Sequence, residues 1–330
     1  MATSRNAVDK ARGQGAAATV REFGRQVKLL RKQRWGNPAG YLLIAPAIIL
    51  FLVFNLYPVL RGLQMAFMDM RYLSPETGDF FVSFNGLDNF REMFADTGFQ
   101  HSFWVSVQFS FLYQPIAILF AVLVAAVIGS FKENKVALFT RMVMYIPVIV
   151  PLSVTMLMFK SLYDPRLGYI NHGLRTLLPF IGMGPNWLGP QFALLALVIA
   201  TAWTRFGYFA LLLLIGVYQI NNEIYEAASV DGAGALRKLW SITLPALRPI
   251  FVLILVLTGG ILNATAEPLI LTGGGPGDTT MTVGLYTWKT AFEWGSLRVG
   301  YAAAMGLFMG IVQMLFAFLV FRSLGLRTDE

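Results

Sequence analysis

Six stretches of this chain, residues 41–60, 103–130, 142–159, 191–218, 250–271 and 299–321, are each apolar for close to the length of helix that crosses a bilayer. A hydrocarbon core of roughly 30 Å takes about 20 helical residues. Inside it, each segment must satisfy its own backbone hydrogen bonds. Six such stretches in 330 residues read as membrane spans rather than as buried helices of a soluble core. Composition agrees: 13% of residues are charged and mean hydropathy is +0.60, whereas a soluble domain carries about a quarter charged residues. The predicted class is all-α, a polytopic membrane bundle of six transmembrane helices.

The net charge of +8 points to a membrane surface rather than to nucleic acid, because of where it lies. Seventeen Lys and Arg fall in the tail before the first span, in connections 2–3 and 4–5 and in the C-terminal tail; eight fall on the other side. Both termini are therefore expected in the cytoplasm, with a basic tail at 1–39 and the transmembrane domain at 40–325. The tail is too charged, and its apolar runs too short, for a signal peptide. Residues 20–35 read either as a basic amphipathic helix lying on anionic lipid or as a solvated anchor. In the first connection, "GLDNFREMF" reads as a short amphipathic helix. The connection at 160–190, broken by four prolines, is expected to be irregular, with Tyr163 and Trp187 at headgroup depth.

The connection at 219–249, expected on the cytoplasmic side, holds about thirty residues, far more than two antiparallel helices need. It contains "EAASVDGAGALRKLWSITLP", residues 226–245. Asn222 is a suitable N-cap for two helical turns over 223–230. Gly232 and Gly234 allow the backbone to reverse. Residues 235–242 can form a second short helix, which Pro245 and Pro249 would stop. Small Ala side chains on the first helix let another protein approach closely.

The spacing Glu226-Ala227-Ala228, three residues, Gly232, nine residues, Ile242-x-Leu244-Pro245 resembles the EAA loop of permease subunits of bacterial ABC importers. The likeness extends along the chain. "LIAPAIILFLVFNLYPVL" is similar to the family's first span and "GLDNFREMF" to its interfacial helix. "LTGGGPGDTT" and "GYAAAMG" are similar to the carbohydrate-uptake branch, which includes the maltose transporter membrane subunits. The resemblance implies a coupling helix seated in a cleft of a separate ATPase, with Glu226 meeting a basic residue there and Asp231 and Gly232 at the bend. It also implies the partners: a second homologous permease, two ATP-binding subunits, an extracytoplasmic solute-binding protein and membrane lipid. The cargo would be a carbohydrate, with glycerol phosphate or a polyol as the alternative, and the place the bacterial inner membrane.

No catalytic constellation is legible. The Walker pattern GxxxxGK[ST] is absent, so ATP and Mg are expected on the partner. With no Cys, only His101 and His172, and no carboxylate cluster in the spans, neither metal binding nor nucleophilic catalysis is indicated, and the chain reads as a non-enzyme. An ion-coupled carrier would need no ATPase, but it is expected to show inverted internal repeats, and none is visible. Candidates for the cargo path are Asn263, Thr265 and Glu267 in the fifth span and Arg205, Trp203 and Tyr208 in the fourth. Polar groups inside a bilayer are costly and usually functional. Asn263 and Thr265 also fit interhelical hydrogen bonding, and the aromatic residues fit packing. At about 1.5 Å per residue, Arg205 lies roughly 20 Å from the outer end and Glu267 about 6 Å, too far apart in depth to pair.

Overall fold

A computed structural model describes residues 38–74, 79–130, 135–181, 184–295 and 297–324. The tail before Pro38, with the reading of residues 20–35, lies outside the described residues. The chain separates into two compact units, residues 1–61 and 62–330. The described part of the first unit lies in helix α1, which runs from Pro38–Phe51 through a π-helical turn at Leu52–Leu56 into Tyr57–Met65. The π turn ends two residues before Pro58. A widened turn at that point relieves the clash between the proline ring and the carbonyl four residues back. The unit's apolar side chains, Leu42, Leu43 and Phe54 among them, are exposed, as suits a helix facing lipid.

The second unit begins with a two-stranded antiparallel hairpin, β1 (Met68–Ser74) and β2 (Asp79–Phe84), with Met68 opposite Phe84 and Arg71 opposite Phe81. This hairpin is an addition to the all-helical expectation. Then follow α2 (Asp88–Ala95), α3 (Thr97–Ser130), α4 (Lys135–Ile149), α5 (Leu152–Leu162), α6 (Tyr169–Leu177), α7 (Ala193–Tyr218), α8 (Asn222–Val230) and α9 (Ala235–Ala246). The chain closes with α10 (Arg248–Thr258), α11 (Ala266–Leu271), α12 (Val283–Phe292) and α13 (Val299–Leu324). Four helices are long and apolar enough to cross a bilayer, and six spans result if each of two bent pairs counts as one.

The bent pairs are Met142–Ile149 with Leu152–Leu162 and Ala235–Ala246 with Arg248–Asn263; within the expected spans, the third and the fifth are each interrupted. The third bends by 101° between Met142–Ile149 and Leu152–Leu162. Pro151 has no N–H to offer the carbonyl of Pro147, so the α-helical ladder stops there. The fifth span passes from α10 into a 3₁₀ stretch, Gly259–Asn263, and breaks before α11. The carbonyl of Ala264 freed at that break accepts the Thr282 hydroxyl at 2.5 Å, and the amide of Val283 donates to Ser106 Oγ on α3 at 2.8 Å. Side-chain hydroxyls thus satisfy backbone that lipid cannot.

The main core lies where α3 packs along α7. Lipid tails are as apolar as Leu, so spans associate by close packing rather than by the hydrophobic effect. This core accordingly includes small residues, with Ala117 and Ala121 on α3 and Ala196, Ala200 and Ala210 on α7, among larger ones such as Phe109, Tyr113 and Phe209. Tyr163, expected at headgroup depth, is buried in this core, donates to the carbonyl of Ala196 at 3.0 Å and packs against Trp187. The connection around it is more regular than expected. α6 is held at Asn171, which donates to the carbonyl of Pro185 and accepts from Trp187 Nε1.

The expected amphipathic helix is α2, which buries Asn89 and Met93. Past its end, Asp96 accepts from Tyr286 and Tyr301, each at 2.8 Å, and from the amide of Gly98. Partial burial opposes ionisation of Asp96, but these hydrogen bonds outweigh it and hold the carboxyl below the usual range. One turn back, Glu92 takes a bidentate pair from Arg298 at 2.5 and 2.6 Å, and that pairing lowers its pKa as well. This network ties α2 to α12 and α13.

Candidate functional site

The connection between the fourth and fifth spans folds into a stapled hook of two helices. α8 is capped by Asn221, whose side chain accepts from the amide of Glu223 at 3.0 Å. The cap is thus one residue earlier than expected, and Asn222 is already helical. At the other end, Gly232 lies at φ +75°. Its amide bonds the carbonyl of Ser229, and the amide of Ala233 bonds that of Ala228. This is a Schellman closure, and glycine takes its left-handed position without strain. Glu226, Ala227, Asp231 and Gly232 are exposed and Ala228 is half-buried.

α9 does not stop at Pro245. A π-helical turn at Leu239–Thr243 admits the proline, the helix runs to Ala246, and the chain then bends by 61° into α10. The π turn again ends two residues before its proline, as at Pro58. Ile242 and Leu244 are half-buried, and Pro245 is exposed. Two contacts join the arms: the Tyr225 hydroxyl meets Thr243 Oγ1 at 2.8 Å, and Lys238 Nζ donates to Ser229 Oγ. Sequence reasoning missed both, since nothing local marks pairs 18 and 9 residues apart. The hook leaves Val230, Leu236 and Trp240 exposed at 89%, 74% and 68%, and such large apolar side chains clustered on one loop mark a contact surface.

The second candidate region is a cavity of about 480 Å³ inside the bend of the third span. Its walls come from both sides of the break (Tyr145, Pro147, Leu152) and from Thr204, Arg205 and Tyr208 of α7. Arg205 is exposed, and no hydrogen bond or ion pair holds it among the described residues. Tyr208, at 37% exposure, lies one turn further along the same helix.

The other candidates fall elsewhere. Trp203 is half-buried and packs edge-to-face on Phe159 at 5.6 Å. Asn263 is exposed at the end of the 3₁₀ stretch, Thr265 bonds its carbonyl at 3.3 Å, and Glu267 is buried at 8% exposure in α11. None of these four lines the cavity; from the fifth span only Leu257 does. No ion pair joins Arg205 to Glu267 among the described residues. The cavity's position at the kink was not foreseen, although "PVIVP" at 147–151 carries the signal. No group of three or more potential metal ligands occurs among the described residues.

Residues 117–329 match the family described as binding-protein-dependent transport system inner membrane component. The sulfoquinovosyl glycerol transport system permease protein SmoG of Agrobacterium fabrum is 32% identical over 278 residues, which cover 83% of this chain and 86% of that protein. The trehalose/maltose transport system permease protein MalF of Thermococcus litoralis is 30% identical over 284 residues, 85% of this chain and 92% of that one. Among solved structures, a chain of a bacterial ABC transporter involved in the import of the acidic polysaccharide alginate superposes with a TM-score of 0.74 at 23% identity, over 93% of this chain and all of that one. At that identity the likeness is one of fold.

Proposed function

The chain belongs to the binding-protein-dependent transport system inner membrane component family, and from that premise we propose that it is the non-catalytic subunit through which a carbohydrate enters the cell. Membership makes it a multi-pass inner-membrane permease component of an ABC importer. The sugar and sugar-glycoside cargoes named for its two relatives support a carbohydrate. In this reading a second, homologous permease completes the pore, two ATP-binding subunits hold ATP and Mg, and an extracytoplasmic binding protein delivers the cargo.

The observation that carries the reading is the stapled hook. Work done by a motor on one subunit reaches another only through a stiff connection. Two helices closed by a Schellman turn and cross-linked at Tyr225–Thr243 and Ser229–Lys238 are stiff. Glu226 and the apolar tips Val230, Leu236 and Trp240 face outward, free to seat in a cleft with a basic residue opposite Glu226. Asn263, Thr265 and Glu267 stand away from the cavity, with Asn263 exposed and Glu267 buried in α11.

The test is assembly and coupling. Expressed with its neighbouring genes and purified through a tag on this chain, the permease brings down a Walker-bearing ATPase whose turnover rises with sugar-loaded binding protein. Glu226→Lys removes the ATPase from the preparation. A full complement and unchanged turnover in that variant would refute the docking role.

A further inference from the structure

Among the described residues, Arg205 is a cation with no anion. It sits within α7, and the only carboxylate in the six spans is Glu267, which is buried in α11 and does not pair with it. A charge inside a span that finds no partner among the described residues marks a ligand path or a partner's site. Its surroundings favour a ligand. No acidic residue lines the cavity, and Arg205 is the sole charge there. The volume, about 480 Å³, lies within the roughly 300–1,000 Å³ of small-ligand sites. Three hydroxyl side chains, Tyr145, Thr204 and Tyr208, share the wall. The Thr204 hydroxyl spends its proton on the carbonyl of Thr201 at 2.7 Å, which leaves its oxygen able only to accept.

The geometry points to a cavity that selects an acidic saccharide, one carrying a carboxylate, sulfonate or phosphate. The oxyanion meets the guanidinium fork of Arg205, and the sugar hydroxyls meet Tyr145, Tyr208 and the acceptor oxygen of Thr204. A planar fork of N–H donors matches an oxyanion bidentately, whereas a neutral sugar would leave the guanidinium desolvated and unpaired. This inference rests on the carbohydrate reading above and adds the charge of the cargo.

The experiment uses the complete importer in nanodiscs and measures binding to it of digalacturonate and glucose 6-phosphate, each against its neutral counterpart, galactobiose and glucose. At least one acidic probe should bind about tenfold or more tighter than its counterpart, as a charge-assisted hydrogen bond allows. Arg205→Gln should erase that preference and Arg205→Lys, which guards against a folding defect, should keep much of it. Equal or tighter binding of both neutral sugars, binding of no probe, or a preference that survives in Arg205→Gln overturns the inference. So does loss of the second permease from the Arg205→Gln complex, which would make Arg205 half of an interface pair. ATP hydrolysis separates the two readings. If neutral saccharides on the binding protein stimulate it equally in wild type and Arg205→Gln, the charge selection falls and the carbohydrate reading stands. If no saccharide of either kind stimulates it, the carbohydrate reading falls as well.

Discussion

Tyr225 of α8 and Thr243 of α9 meet hydroxyl to hydroxyl at 2.8 Å, clasping the two arms of the hook across 18 residues of chain. Thr243 is the last residue of the π turn that admits Pro245, so the clasp falls where the helix is widened. A neutral hydrogen bond of this kind contributes about 1 kcal/mol. Replacing both partners, Tyr225→Phe with Thr243→Val, is expected to leave folding and ATPase association intact and to loosen the hook. Transport per ATP hydrolysed, measured in proteoliposomes, should fall while hydrolysis persists. An unchanged ratio would show that the clasp transmits nothing.

Gly232 tests the closure of the same hook by backbone alone. An added Cβ would meet nothing within 4 Å, yet φ is +75°. The cost of substitution is therefore conformational rather than steric, about 1 kcal/mol for alanine. Gly232→Asn should be tolerated best, Gly232→Ala less well and Gly232→Val worst, because Asn visits the left-handed region and β-branched residues avoid it. Sugar-stimulated ATPase of the three variants reads the order directly. A ranking by side-chain volume rather than by left-handed propensity would mean that a partner crowds this site.

The carboxylates of the first connection give a pH dependence with a defined sign. Hydrogen bonds from Tyr286, Tyr301 and two amides outweigh burial at Asp96, and the Arg298 fork acts at Glu92; both lower the folded-state pKa. Such groups add stability that is present above their unfolded pKa, near 4, and is lost as pH falls through the lower folded value. The melting temperature in nanodiscs should therefore hold from pH 7 to about 5 and drop below about 4. Asp96→Asn combined with Glu92→Gln should melt lower at pH 7 and approach the wild type at pH 3. A constant difference between the two proteins across that range would remove the ionised network as its cause.

Six greasy stretches, an amphipathic α2 and a two-armed hook with a glycine bend were legible because each is a local property: length, period or a single φ. The breaks were harder. Pro147 and Pro151 stand in plain view, yet hydropathy averages across them and reports one span. The break at Ala264 depends on Thr282, 18 residues away, which takes up the carbonyl it frees. Pro245 misled in the other direction, since a π turn upstream lets a helix pass through a proline that elsewhere ends one. Of the cavity, Arg205 and Tyr208 were visible as oddities on α7, but Tyr145 and Leu152 join them only through the fold. Trp203, an equal candidate by sequence, turns its ring into the core against Phe159.

The cavity depends on how closely α4 approaches α7, and Gly207 sets that distance. A Cβ at this position would lie 2.2 Å from the carbonyl oxygen of Met144 and 3.4 Å from Cα of Tyr145. Both obstacles are backbone, which cannot turn aside as a flexible side chain would. Gly207→Ala must therefore push α4 outward, and overpacking of this kind costs about 1–3 kcal/mol. Tyr145 lines the cavity and sits on the displaced turn, so the change should also alter the cavity opposite Arg205. We expect a lower melting temperature and slower uptake, with ATPase subunits still bound because the hook is untouched. Gly310→Ala is the control: a Cβ there meets nothing within 4 Å, so stability should hold or rise slightly, as alanine favours a helix interior by about 0.5–1 kcal/mol. If the two variants melt and transport alike, the close approach of α4 to α7 does not shape the path.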